Sequence, residues 1–313
     1  MKDISDLLKF KPLNVPVLFL VFNRFETTKR VFEAIKDVKP SKLYIASDGA
    51  RKHVKGEDQI VSKVRDYILD QIDWPCKIST LFREDNQGCK MAVSSAISWF
   101  FEKEEMGIIL EDDCLPDPSF FSFAELLLEK YKNDERVMMI SGDNFQDGKV
   151  RGDGTYYFSK YSHIWGWATW RRAWQLYDVE MANYSKFEKT MAIKNIFCSK
   201  KEYKYWTAIF RKMYQKGIDT WDYQWVYTVM SNSGLSIIPN TNLISNIGFG
   251  TGATHTIGES ELANMETISV KIENLQHPTF ILPDYEADHY TFRKLFEKSF
   301  MTKILKKIKK FKK

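Results

Sequence analysis

The chain has 313 residues, 44% of them hydrophobic and 28% charged, which fits one large α/β domain or two modest ones and excludes a disordered or collagen-like chain. Its formal charge of +5 is uneven: Thr291 to Lys313 carry ten basic residues against Glu297 alone, leaving 36 basic and 40 acidic residues in the body. Positive charge confined to an appendage is not the pattern of a global nucleic-acid binder, so no nucleic-acid partner is expected.

In chain order, strand and helix signals alternate. Val15 to Phe22 is a continuous apolar run, the pattern of a strand buried on both faces of a parallel sheet. Glu26 to Val38 reads as a helix, Lys42 to Ala46 as a strand and Asp58 to Ile72 as a helix. Lys77 to Phe82 is the third strand, Gly88 to Glu102 the third helix and Gly107 to Leu110 the fourth strand. Ser119 is the expected N-cap of a helix ending near Tyr131, and Val137 to Ile140 is a fifth strand. The second half is less regular: a strand from Tyr156, a Trp-rich stretch from His163 to Trp174, a helix from Glu202 to Lys216, an aromatic helix from Thr220 to Met230 and a short strand from Gly234 to Pro239.

This alternation predicts an α/β fold with a mostly parallel sheet flanked by helices. Ligands of such sheets bind beyond the carboxyl ends of the strands. Polar residues gather there: Asn23-Arg24, Ser47-Asp48, Arg83 to Asn86, Glu111-Asp112-Asp113 and Ser141 to Asp143. The sharpest is Glu111-Asp112-Asp113, three consecutive acids directly after a buried strand. Adjacent carboxylates repel, and Mg²⁺ or Mn²⁺ relieves that repulsion through one or two carboxylates plus substrate phosphates. The bland alternative is a solvated turn. Arg24 can pair with a phosphate or stack on a base, and Asp48 can accept a hydrogen bond from a base N–H; turns favour such residues anyway.

In the second half, Asp222 stands among Trp221, Tyr223 and Trp225. Desolvation there raises a carboxylate's proton affinity, as a general base can require, although an aromatic core helix reads the same way. Trp165-Gly166-Trp167 offers rings for sugar stacking or for the core. Gly248 to His255, with Gly250 at its centre, is a glycine-rich loop that can lay backbone N–H groups on phosphate. His255 is a candidate metal or phosphate contact there. The tail repeats Phe296, Phe300, Ile304, Ile308 and Phe311 at helical spacing with lysines opposite, a basic amphipathic helix suited to an anionic membrane surface.

Taken in order, these pieces resemble the GT-A fold glycosyltransferases, and within them the N-acetylglucosaminyltransferase I group and bacterial family 2-like relatives. The resemblance runs from about Val15 to Thr256. It rests on Val17 to Arg24, Ile45 to Asp48, Asp85 to Ser95, Ile108 to Phe121, Trp165-Gly166-Trp167, Asp219 to Trp225 and Ile247 to His255. It implies a domain over residues 1–290, its nucleotide-binding half about 15–145 and its acceptor half about 146–290, followed by a membrane-associating tail over 291–313.

The resemblance also implies roles. Asn23, Arg24, Asp48 and Lys90 would contact the donor nucleotide, and Glu111-Asp112-Asp113 would be the DxD-type element. Asp113 would hold Mn²⁺ or Mg²⁺, Asp112 and Glu111 would contact ribose or sugar, and Asp222 would be the catalytic base. Trp167 and Gly250 would join the donor site. The implied partners are a nucleotide-sugar donor, most simply a UDP-sugar such as UDP-GlcNAc, and a saccharide or lipid-linked saccharide acceptor. Two places depart from the family pattern: Tyr223 stands where a second acid often follows the base, and Gly148 to Gly154 has no match.

Rival readings are a nucleotidyltransferase, a metal-dependent phosphohydrolase and a membrane-associated glycan-binding module. The first would show a glycine-rich basic loop after the first strand, where this chain has Asn23-Arg24-Phe25-Glu26. Val15 to Phe22 is too short to span a bilayer and lacks signal-peptide flanks. Cys76, Cys89, Cys114 and Cys198 have no CxxC spacing, and reduced thiols are expected. The expected location is the cytoplasm, peripheral at the inner membrane face.

Overall fold

The computed structural model describes residues 12–197, 199–249 and 262–297. The first half alternates as its sequence predicts: β1 (Val17–Val21), α1 (Phe25–Val38), β2 (Lys42–Ser47), α2 (Glu57–Asp70), β3 (Lys77–Phe82), α3 (Gly88–Phe101) and β4 (Met106–Glu111). A short β5 (Cys114–Pro116) leads into α4 (Pro118–Lys130) and β6 (Val137–Ser141). Next come β7 (Tyr156–Ser159), β8 (Trp167–Trp170), α5 (Arg171–Trp174), α6 (Tyr184–Lys189), α7 (Lys200–Tyr214) and α8 (Asp222–Ser231). The chain continues through β9 (Leu235–Pro239), β10 (Ile244–Asn246) and α9 (Tyr285–Thr291) into a wider π-type turn, Phe292–Glu297.

Eight strands form one sheet in the order β3-β2-β1-β4-β8-β6-β9-β7. Six run the same way; β8 and β7 are antiparallel to their neighbours. The α/β fold with a mostly parallel, helix-flanked sheet is therefore present. β1 sits at its heart because its apolar run serves both faces. Val17, Phe19 and Val21 join one core cluster with Leu43, Ile45, Ile108 and Leu110, beneath α1, α2 and α4. Leu18 and Leu20 join the other with Tyr44, Ile109 and Ile97, beneath α3 and α8. The period-2 alternation of a strand sorts one run into two cores. Each fully buried Leu or Phe in them contributes roughly 1.5–3 kcal/mol.

One expectation is corrected, and the Trp-rich stretch gains an element. Asp117, not Ser119, caps α4: its carboxylate accepts the Ser119 N–H at 2.9 Å, and Pro118 takes the first helical position, where no N–H is needed. The Trp-rich stretch contains a strand. β8 inserts antiparallel between β4 and β6, with Trp167 on one face of the sheet and Trp170 on the other. Its Trp-Ala-Thr-Trp sequence has two tryptophans on opposite faces, so neither helical nor strand amphipathicity was visible.

The C-terminal piece is tied to the body. Asp284 caps α9 through the Ala287 N–H at 2.9 Å, and Asp288 accepts Ser159 Oγ at 2.5 Å. Phe292 and Phe296 pack with Tyr205 and Trp206. Phe296 thus belongs to the folded body and not to a lipid-facing stripe, and the body extends to Glu297. Phe300, Ile304, Ile308, Phe311 and Cys198 lie outside the described residues.

Asp288 is 1% exposed, and burial, reinforced by Glu202, pushes its carboxyl up to about 7 although Ser159 and Lys160 oppose this. The folded state therefore holds this proton more tightly than the unfolded chain does. Its contribution is complete below the ordinary carboxyl value and is lost as pH rises through about 7. Asp288→Asn is expected to gain stability relative to the native chain as pH goes from about 5 to about 8. Denaturant midpoints at the two pH values check this, and a pH-independent difference contradicts it.

Candidate active site

The carboxyl ends of β1, β2, β3, β4 and β6 and the amino end of β8 share one edge of the sheet. A cleft of about 740 Å³ opens there. It is lined by Asn23 and Arg24 after β1, Asp48 and Arg51 after β2, Arg83 and Asn86 after β3, and all three residues of Glu111-Asp112-Asp113 after β4. Its opposite wall is the segment Ile218 to Tyr223 at the start of α8.

The acid triplet is the electrostatic centre. Asp112 is buried and accepts the Phe22 N–H at 3.2 Å. Arg24 Nη1 stands 3.4 Å from Asp112 and 2.5 Å from Asp113, so two carboxylates converge on one positive group. Burial pushes Glu111 up to about 8, and the charges of Asp113 and Asp112 add to this while Arg24 opposes it. Asp112 is raised to about 7, first by burial and then by Asp113, again against Arg24. Asp222 raises Glu111 further, so the two walls meet electrically although 111 residues separate them in the sequence.

β5 pairs antiparallel with β10 and brings the segment after β10 over the triplet. Ile247 N–H bonds the Asp113 carbonyl at 2.8 Å, and Gly248 N–H bonds Asn246 Oδ1 at 2.9 Å. A Cβ at Gly248 would clash with the Asp113 carboxylate, so only glycine permits this approach. Gly250 and His255 lie outside the described residues.

Asp48 is nearly saturated within the protein: Asn86 Nδ2 at 2.9 Å and Gln87 N–H at 3.0 Å both donate to it, and burial raises its carboxyl. Asn23 holds Glu57 at 2.8 Å, and Glu57 in turn holds Arg51. Asp222 opens α8 and accepts a hydrogen bond from Thr220 Oγ1. Lys90 and Trp167 are not part of the cleft wall. The Trp167 ring is fully buried against Trp221 and Trp225, which corrects its expected place in the donor site. Trp165 does line the cleft, along with Phe22, Trp221, Tyr223 and Phe249, and stands edge-on to Phe249 at 5.7 Å.

Arg51, Asp219 and Asn246 line the cleft without having been singled out as site residues. Asp219 does so by a long-range contact. Its carboxylate accepts the N–H groups of Cys89 and Lys90, each at 3.1 Å, capping α3 from across the cleft. Gly88, at φ +76°, turns its backbone against that carboxylate. No local signal announces a cap supplied from 130 positions away.

Among the described residues, no three His, Cys, Asp or Glu side chains form a group that could hold a metal ion by themselves. The donor set still suits a hard divalent cation, which takes one or two carboxylates and completes its shell from ligand phosphates and water. Asp112 and Asp113 already converge on one cationic group.

No protein-family model matches the chain, and no curated protein matches it. Solved structures do. A mannosyltransferase from Pyrobaculum calidifontis, in complex with GDP-Man and Mn²⁺, is 14% identical over 52% of this chain and 46% of its own length, with a TM-score of 0.35. TarS 1–349 of S. aureus is 10% identical over 74% and 59%, with a TM-score of 0.39. A UTP-bound UGPase from Acinetobacter baumannii is 8% identical over 72% and 85%, with a TM-score of 0.33. This chain spans less than two thirds of the first two proteins.

Asp219→Ala removes both acceptors at the start of α3. The expected cost is about 1 kcal/mol in denaturant unfolding, with faster amide exchange at Cys89 and Lys90. Unchanged exchange at those two amides would show that water caps the helix equally well.

Proposed function

We propose that this chain is a metal-dependent, inverting glycosyltransferase of GT-A type. It moves a sugar from a nucleotide-diphosphate sugar, a UDP-sugar such as UDP-GlcNAc, to a hydroxyl of a saccharide acceptor in bacterial surface-glycan assembly. One observation carries this reading: the acid triplet at the end of β4 faces the carboxylate at the start of α8 across a single cleft. That cleft also holds Arg24, Arg51 and Arg83, donors suited to phosphate and base.

The arrangement of the walls supports the following roles. Asp113, together with the donor phosphates, would hold Mn²⁺ or Mg²⁺, and Asp112 and Glu111 would contact the ribose or the sugar. When bound, the cation offsets the charge that develops on the departing diphosphate. Asp222 accepts the proton of the acceptor hydroxyl, whose oxygen forms the new bond to the anomeric carbon as the bond to the diphosphate breaks. Attack from the face opposite the leaving group inverts the anomeric centre. Trp165 and Phe249 supply an aromatic rim on which a sugar ring can lie. The basic C-terminal tail holds the enzyme at an anionic membrane face, near a lipid-linked acceptor. No helix among the described residues is long and apolar enough to cross a membrane.

A thermal-shift panel tests the donor site. One of UDP, GDP, dTDP or CMP is expected to stabilise the chain with Mn²⁺ and not without it, and Asp113→Ala to abolish that shift. Silence with every nucleotide would sink the transferase reading. For the base, Asp222→Asn is expected to lower kcat by roughly 10²–10⁴-fold while the metal-dependent nucleotide shift persists. Turnover near the native rate at unchanged stability would remove Asp222 from that role. Release of pyrophosphate from a nucleoside triphosphate and a sugar phosphate would identify a nucleotidyltransferase instead.

A further inference from the structure

The four most exposed large hydrophobic side chains among the described residues are Val150 (73%), Phe280 (71%), Leu282 (67%) and Tyr285 (60%). Single exposed apolar residues are ordinary; a gathered group marks an interaction surface. These four belong to two segments that several contacts join. Asp153 accepts the Thr279 N–H at 3.2 Å, next to Phe280. Arg151, beside Val150, pairs with Glu286 at 3.6 Å, beside Tyr285. Asp147 pairs with Tyr290 and Lys294 on the turn that leads to the C-terminal tail. Lys149 lies over the Tyr290 ring at 4.0 Å. The loop 147–154 thus lies against the segment 279–294 along its length. It contains the stretch, Gly148 to Gly154, that neither the proposed catalysis nor the family pattern uses.

The charges of the two segments nearly cancel: Lys149, Arg151, Arg293 and Lys294 stand against Asp147, Asp153, Asp284, Glu286 and the buried Asp288. Residues 298–313, which continue from the patch, add eight lysines and no acid. An apolar, near-neutral surface adjoining a strongly cationic segment matches a bilayer bearing anionic headgroups: charge attracts the tail, and apolar side chains enter the interface. We infer that Val150, Phe280 and Leu282 form a membrane-docking surface on the folded body, a second contact beside the tail, that sets how the enzyme sits on anionic lipid. This rests on the proposed membrane role of the tail and requires no nucleotide chemistry.

The test uses the full chain and two vesicle types, phosphatidylcholine alone and phosphatidylcholine containing phosphatidylglycerol. Combined Val150→Ser, Phe280→Ser and Leu282→Ser changes remove surface side chains only, and an unchanged melting temperature verifies the fold. Sedimentation with anionic vesicles is expected to weaken roughly tenfold, a difference of about 1.4 kcal/mol. In the native chain, hydrogen exchange over 148–152 and 279–283 is expected to slow when anionic vesicles are added. Native binding that is lost on deleting 298–313, unmoved by the triple variant and without protection of the patch, overturns this inference and leaves the tail reading intact. Absence of native binding overturns both. Protection that rises with protein concentration and needs no lipid overturns it in favour of self-association.

Discussion

Three carboxylates at the end of one buried strand are the constraint around which this fold is arranged. Glu111, Asp112 and Asp113 repel one another in a partly desolvated place, and burial raises two of them into the neutral range. The surroundings offset that cost piece by piece. The Phe22 N–H bonds Asp112, Arg24 stands between Asp112 and Asp113, and Gly248 lets the segment after β10 lie against Asp113. Structural elements that only supported the sheet would not need such congestion. A hard divalent cation would turn the same repulsion into affinity.

The second wall is held to the first by two kinds of force. One is packing: Trp167, Trp174, Trp221 and Trp225 fill the space between the sheet and α8, with ring centroids 5.2–6.3 Å apart. The other is directional: Asp219 reaches across to the first N–H groups of α3. Aromatic packing sets the separation, and the cap sets the register, so Asp222 faces the triplet. Trp167, which looks like a sugar platform in the sequence, is therefore part of the wedge between walls, while Trp165 lines the cleft.

How far the sequence reaches differs between the halves for a physical reason. In the first half the central strands are apolar runs and α1 and α2 are amphipathic, so local pattern and final structure agree to within a few residues. Most of the polar residues at the strand ends fall in the cleft by topology alone: Asn23, Arg24, Asp48, Arg83, Glu111, Asp112 and Asp113 line it opposite Asp222, whereas Glu84, Asp85 and Asp143 do not. In the second half the helices α7 and α8 were legible, but tryptophans occupy both faces of β8, so no periodicity marks it as a strand. Trp167, assigned to ligand, belongs to the core, and Phe296, assigned to lipid, packs half-buried against it.

By itself, the sequence determined the alternating α/β order, the strand that carries the acids, and the charge division between an acidic body and a basic tail. These depend on neighbours in the chain: side-chain period, strand ends and composition. Only the tertiary structure decided that β8 enters antiparallel between β4 and β6, that Asp219 caps α3, that Trp165 and not Trp167 faces the cleft, and that Val150 meets the segment of Phe280. Each of those joins residues distant in sequence. Their chemistry is silent until folding sets donor beside acceptor and ring against ring.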